Sequence, residues 1–437
     1  MNIKPFLALF LLSLPIFIFG HPVETFSESL LIRRLSKDHY GARFQFTHRK
    51  KSGSSANHFH TFPKAIGQAM NRNISEVRLV MSRGVWRWGS ETMWPSFESG
   101  APGVEIWSKM DDIDTNWVQL IRAFAGITCS SLDILEKNFG RVGEDVVFGM
   151  MPSETVCTEN LSVWLKLLPC RSKAGLAKII SPFVVFNSEY YSISLSLHQS
   201  SSGIELIQSL SMVRKINSKL ISVASLFELK DLSDQFSNVC GVSSLSELVI
   251  EGPQIGSSSF SIPPQYIDRS LNSFAYWKLP LERKSPIDIA GLETLSIFEA
   301  SEIVSVSKWQ TGLGDISGSF STAIYNHHPT KDLRVRHFEI LPSFLRPKLG
   351  TLKIFIGDEE VEAPTKFIRN ITSSLVRGPP ATFEFEFNLP KNGKRVLLTY
   401  KFEKAFLFFY EFPPHPTEDG MYLLQLLRII GQTSSMK

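Results

Sequence analysis

The residues best placed to do chemistry in this chain are cysteines. Cys157 and Cys170 lie in the stretch VCTENLSVWLKLLPCRSKAGL, from Val156 to Leu176. They are too far apart for a CxxC redox pair, and no His or Cys stands beside either at zinc spacing. In an oxidising compartment each is a candidate half of a disulfide. Asn160-Leu161-Ser162 is an acceptor for N-glycosylation, which predicts a wet surface three residues beyond Cys157. Trp164, Leu165, Leu167 and Leu168 supply an apolar face that Pro169 terminates. The segment reads as an exposed, partner-facing loop pinned to a core.

Other chemistry is sparse. His58-Phe59-His60 puts two imidazoles on one face of a strand without a third ligand at metal spacing, so it reads as a polar strand face. His327-His328-Pro329 reads as a turn. The chain contains no G-x-S-x-G elbow, P-loop, H-E-x-x-H or dinucleotide fingerprint, so no catalytic residue, metal ligand or cofactor is assigned. Asp111, Asp112 and Asp114 precede Trp117, Leu120, Ile121 and Phe124, whose spacing is helical, and they read as a capping cluster for that helix. The tryptophans from Trp86 to Trp107, with Trp88 and Trp94 between them, read as packing near strand ends.

The compartment follows from the N-terminus. One positive charge, an almost unbroken apolar run from Phe6 to Phe19, and Gly20 before the polar HPVETFSES form a secretory signal over residues 1–20. Two further acceptors, at Asn73 and Asn370, agree with entry into the secretory pathway. The formal charge of +4 over 437 residues, with no long basic run interleaved with aromatics, argues against nucleic acid as a partner. Four cysteines are too few to build a scaffold, so apolar cores must carry the fold.

The elements that must position these residues are mostly strands. Strict alternation marks Phe44 and Phe46; Val77, Leu79 and Met81; and Tyr191, Ile193, Leu195 and Leu197. It resumes with Leu333 and Val335, with Leu352, Ile354 and Ile356, and with Phe383, Phe385 and Phe387. Ile204 to Leu229, apolar at mixed spacing, reads as a second helical stretch. The fold class is mainly β, with antiparallel β-sandwich-like luminal domains and a few inserted helices. A β-rich domain is predicted over 21–252, a Ser/Gly/Pro-rich linker over 253–264 and a C-terminal sandwich over 265–415. The tail, 416–437, carries an apolar run that would extend about 14 Å as a helix against a hydrocarbon core of about 30 Å. It is read as lacking a membrane span.

Several stretches together resemble the PIG-T family of GPI transamidase components: FPKAIGQ at 62–68, GVW at 84–86, GVEIW at 103–107, DTNW at 114–117, GITCSSL at 126–132, the Cys157 segment, YNHHP at 325–329 and FEKA at 402–405. The resemblance implies a non-catalytic scaffold subunit of an endoplasmic-reticulum membrane complex that attaches GPI anchors to proteins. Its partners would be a caspase-like catalytic subunit and multi-spanning membrane subunits. The family cysteine that forms an intermolecular disulfide with the catalytic subunit corresponds to Cys157. Family members also carry a C-terminal transmembrane helix, and this chain departs from that pattern near Gly420. With Cys157 committed elsewhere, two of Cys129, Cys170 and Cys240 are expected to pair internally. Cys129 with Cys170 is preferred, because one follows the Trp117 helix and the other ends the next. Two other classes stay open: a secreted carbohydrate-binding β-sandwich protein using the tryptophan cluster, and a luminal hydrolase with a site assembled from distant residues.

Overall fold

The alternating segments are strands in the computed structural model, which describes residues 24–406 apart from 53–59, 71–73, 85, 87, 89–101, 137–138, 143–144, 152–155, 217–221, 230–238, 253–259, 261, 270–272, 282–286, 290–291, 293–303, 313–315, 342–343, 373–380 and 392–393, together with residues 424–429. The first eleven strands are β1 (Glu24–Arg34), β2 (His39–Lys51), β3 (Ile74–Arg83), β4 (Gly103–Met110), β5 (Gly140–Val142), β6 (Val146–Met151), β7 (Tyr190–Ser200), β8 (Gly203–Lys215), β9 (Leu245–Gly252), β10 (Tyr266–Arg269) and β11 (Ser273–Lys278). They form one sheet in the order β10-β11-β9-β1-β2-β8-β7-β3-β4-β6-β5. Its pairings are antiparallel except for β1 with β9, which run parallel.

Among the described residues five α-helices accompany this sheet: α1 (Lys64–Ala69), α2 (Ile113–Thr128), α3 (Thr158–Lys166), α4 (Pro182–Phe186) and α5 (Val223–Leu226). In α2 the buried residues Trp117, Leu120, Ile121 and Phe124 recur at three- and four-residue steps, so one stripe of the helix faces the sheet. In α3 the same job falls to Leu161, Trp164 and Leu165. Both helices share one core with Phe44, Phe46, Leu79 and Ile193 of the strands. Each buried indole also satisfies its N–H: Trp117 donates to the Leu135 carbonyl at 2.8 Å and Trp164 to the Ser194 carbonyl at 3.1 Å.

The remaining strands are β12 (Val304–Thr311), β13 (Ser317–Asn326), β14 (Leu333–Leu341), β15 (Leu345–Ile356), β16 (Glu359–Glu360), β17 (Ile368–Thr372), β18 (Ala381–Leu389), β19 (Arg395–Lys404) and β20 (Leu424–Ile429). They make a five-stranded sheet, β12-β13-β19-β15-β16, and a four-stranded sheet, β17-β18-β14-β20. Phe320, Ile354, Leu398 and Phe402 from the first and Val335, Phe383, Phe385 and Phe387 from the second fill a common core, which is sandwich packing. The YNHHP turn joins the two sheets. Its buried Asn326 donates from Nδ2 to the Lys331 and Leu389 carbonyls at 2.9 and 3.1 Å and accepts the His328 amide at 2.9 Å.

The mainly β fold is as read from sequence, and two expectations, the boundary at 253–264 and the helical reading of 204–229, are corrected. The boundary at 253–264 is not where the first unit ends: β10 and β11 extend its sheet, and Phe260, Ile262, Trp277 and Ile289 are buried in its core. Its helix-lined face is covered by helices, and the sandwich arrangement belongs to the second unit. Residues 204–215 form strand β8, which is paired on both edges; Leu206, Leu210 and Met212 enter the core while Ser209 and Ser211 are buried on the other face. Residues buried on both faces lose the clean alternation that announces a strand. The apolar run near the C-terminus supplies β20, paired with β14. Among the described residues no helix is long and apolar enough to cross a membrane. Residues 1–20 lie outside the described residues.

Candidate functional site: the mount of Cys157

Cys157 is exposed and unbonded, and it caps the N-terminus of α3 in an extended conformation. What holds it there is Asn160, one turn into the helix. The Asn160 Oδ1 accepts the Cys157 amide at 2.7 Å and the Cys157 thiol at 3.0 Å. This is the returning half of a capping box, in which the third helical side chain satisfies the capping residue's own amide. The other end of the same carboxamide reaches the C-terminus of α2, where Nδ2 donates to the Thr128 carbonyl at 2.9 Å, the Cys129 carbonyl at 3.2 Å and the Ser130 hydroxyl at 3.0 Å. The thiol also lies beside Glu159, and its polarity leads the causes holding the Glu159 carboxyl below its ordinary range. Just upstream, buried Val156 is fixed by the Tyr191 hydroxyl, which donates to its carbonyl at 3.2 Å. Burial pushes that phenol's pKa up.

The far end of α3 is fastened by a covalent bond. Cys170 is joined to Cys240 with their Cα atoms 5.8 Å apart. The chain then turns at Gly175, whose φ of +74° favours glycine and whose missing Cβ leaves room for the Glu28 carboxylate; a Cβ there would lie 2.5 Å from Oε2. Glu28, buried on β1, accepts the Leu176 amide at 3.1 Å and the Ser246 hydroxyl at 2.7 Å, and desolvation raises its pKa. Gln208 of β8 donates to the Trp164 carbonyl at 3.2 Å, satisfying a group near the end of the helix. The helix bearing Cys157 is therefore tied to α2, to β8 and, through the disulfide and Glu28, to the strands β1 and β9.

The cysteine pairing differs from the sequence expectation. Cys129 is free, and Cys170 pairs with Cys240. Cys129 caps α2 beside the N-terminus of α3, whereas Cys170 lies past that helix's C-terminus, and a nine-residue helix is about 13 Å long. The two cannot meet across it.

The glycosylation acceptors separate as well. Asn160 is only 4% exposed and its Nδ2, the atom a glycan would take, is already shared among three acceptors. The expected wet surface is found at Cys157, Thr158 and Glu159 but not at Asn160 itself. Asn370 is exposed on β17, an edge strand with room for a glycan. Asn73 lies outside the described residues.

The remaining expectations fall into packing. Trp86 meets Trp88 and Tyr190 edge-on at 5.4 and 5.3 Å, in small apolar clusters on the sheet face away from the helices. Trp94 and His58 lie outside the described residues. Asp112 occupies the cap of α2 but makes no side-chain capping bond, and Asp114 instead pairs with Arg141. The part that sequence reasoning missed is the role of Asn160. The signal was present in the Cys-x-x-Asn spacing, a variant of the capping-box pattern, but the acceptor motif on the same residue pointed outward.

Similarity to known proteins accords with this picture. The family described as "Gpi16 subunit, GPI transamidase component" matches residues 9–225 and 265–423. The chain is 27% identical to the GPI-anchor transamidase component PIGT of Mus musculus, over 92% of this chain and 76% of that protein. Against the PIG-T homolog of Schizosaccharomyces pombe the identity is 26%, over 90% and 78%, and against GPI16 of Saccharomyces cerevisiae it is 25%, over 82% and 70%. The matched residues include Cys157, Asn160 and the strands of both units other than β9 and β20, and this chain belongs to the Gpi16 family of GPI transamidase components.

Proposed function

We propose that this chain is a non-catalytic scaffold subunit of a GPI transamidase in the endoplasmic-reticulum lumen, and that Cys157 bonds covalently to the caspase-like catalytic subunit. The observation that carries the reading is an exposed, unbonded cysteine on a helix fastened at both ends, in a chain whose Cys170 and Cys240 are already paired. A tether needs a thiol that another chain can reach and a mount that does not yield when the partner is pulled. Once the bond forms, the two surfaces meet at an effective concentration on the order of millimolar, so contacts too weak to hold alone become occupied. Membrane association comes through the complex and its multi-spanning subunits.

The test is the mobility of the native protein on a non-reducing gel. A heterodimer band that disappears on reduction and in Cys157→Ser is expected. A monomer band for both forms would overturn the reading.

A further inference from the structure

The second free cysteine stands beside the first. Asn160 Nδ2 holds the Cys129 carbonyl at 3.2 Å while its Oδ1 holds the Cys157 amide at 2.7 Å. The two ends of a carboxamide are about 2.3 Å apart, set by standard amide bond lengths, so the Cys129 carbonyl oxygen and the Cys157 amide nitrogen lie within about 8 Å of each other. Both side chains are exposed and neither is in a disulfide. Cys129 also occupies a left-handed position, φ +53°, at the cap of α2 where glycine or asparagine is the usual occupant. Cys157 lies outside the helical turn, with an extended backbone, so its thiol can leave Asn160 without unwinding α3.

We propose that Cys129 is the resolving thiol for Cys157, and that the pair is a thiol–disulfide exchange site. The inference deepens the reading of Cys157 as the interchain cysteine and rests on it only for the identity of the final partner. Charging uses a small-molecule disulfide such as glutathione disulfide. The Cys157 thiolate attacks one sulfur and expels one glutathione thiolate, leaving a mixed disulfide. The Cys129 thiolate then attacks the Cys157 sulfur and expels the second glutathione. Two protein thiols are thereby oxidised to one disulfide and one glutathione disulfide is reduced to two thiols. In the transfer step a partner thiolate attacks the Cys157 sulfur, the Cys129–Cys157 bond breaks, and Cys129 leaves as a thiolate that takes up a proton. The interchain bond forms without further oxidant, and the reverse reaction releases it.

The test uses the full chain purified without partners, exposed to glutathione disulfide, quenched by alkylation and mapped by peptide mass spectrometry. The wild-type protein is expected to yield a linked Cys129–Cys157 peptide pair and little glutathione on Cys157. Cys129→Ser, a change at an exposed side chain, is expected to retain at least tenfold more glutathione on Cys157. Equal retention in both proteins with no linked pair would overturn the proposal. A parallel non-reducing gel of the complex, comparing wild type with Cys157→Ser and with Cys129→Ser, separates the two ideas. An interchain band with no effect of Cys129 removes the exchange site alone, and resolution by Cys129 with no interchain band removes the scaffold reading alone.

Discussion

At Asn160 one carboxamide serves five hydrogen bonds between the starts and ends of two helices, and its removal leaves the buried carbonyl of Thr128 and the Cys157 amide without partners. Asn160→Ala is expected to destabilise the first unit by about 2–3 kcal/mol in denaturant titration, because orphaned buried groups lose their full solvation. The same burial makes a prediction about sugar. Ser162 is exposed, and Ser162→Ala, which abolishes the acceptor without touching Asn160, is expected to leave gel mobility unchanged before and after endoglycosidase. Asn370→Gln is expected to remove one mobility step. A shift on Ser162→Ala would show that Asn160 is modified and that its hydrogen-bond network forms only in part.

At the scale of elements, α3 depends on its two anchors more than on its own propensity, since a helix of nine residues is marginal alone. The Cys170–Cys240 bond closes a separation of 70 residues. In the chain-entropy account a loop of that size is worth about 4 kcal/mol, so Cys240→Ser is expected to lower stability by roughly that amount. Peptide mapping of the non-reduced protein is expected to recover Cys170 linked to Cys240, and a Cys129–Cys170 peptide in its place would contradict the fold around α3. Trp164→Ala, which removes the largest side chain beneath the helix and its bond to Ser194, is expected to cost about 3–5 kcal/mol.

Among the described residues, each of the two large hydrophobic cores has a histidine against it that burial keeps neutral. His48, beneath Phe26 and beside Phe62, has its pKa lowered to about 4, chiefly by desolvation. His337, beside Phe385, is lowered to about 3 by complete burial and by the charge of Lys308, which pairs with Glu339 between the sheets. A folded pKa below the unfolded 6.5 means that the unfolded chain takes up the proton first. The stability each residue contributes is therefore intact above pH 6.5 and is lost as the pH falls toward 4 and toward 3. At pH 5 the loss is about 2 kcal/mol per histidine. His337→Phe is expected to flatten the acid limb of the second unit's stability curve, and an unchanged slope would contradict a buried neutral imidazole.

How much of this was legible beforehand depended on the range of the interaction. Strands such as those bearing Val77, Leu79 and Met81, or Phe383, Phe385 and Phe387, announce themselves because a period of two is set by the backbone and by one buried face. The helix at Trp117 was equally plain. The family was legible too, since motifs such as VCTEN and YNHHP are contiguous in sequence. What tertiary structure decided were relations between segments far apart in the chain. Residues 204–215 became a strand because β2 and β7 offered both edges, and β10 and β11 belong to the first unit because β9 offered its own. Cys170 took Cys240 because strand β9 lies beside β1, near the loop that follows α3. Asn160 turned inward because α2 ended where its carboxamide could reach, and no property of the Asn-Leu-Ser triplet records that meeting.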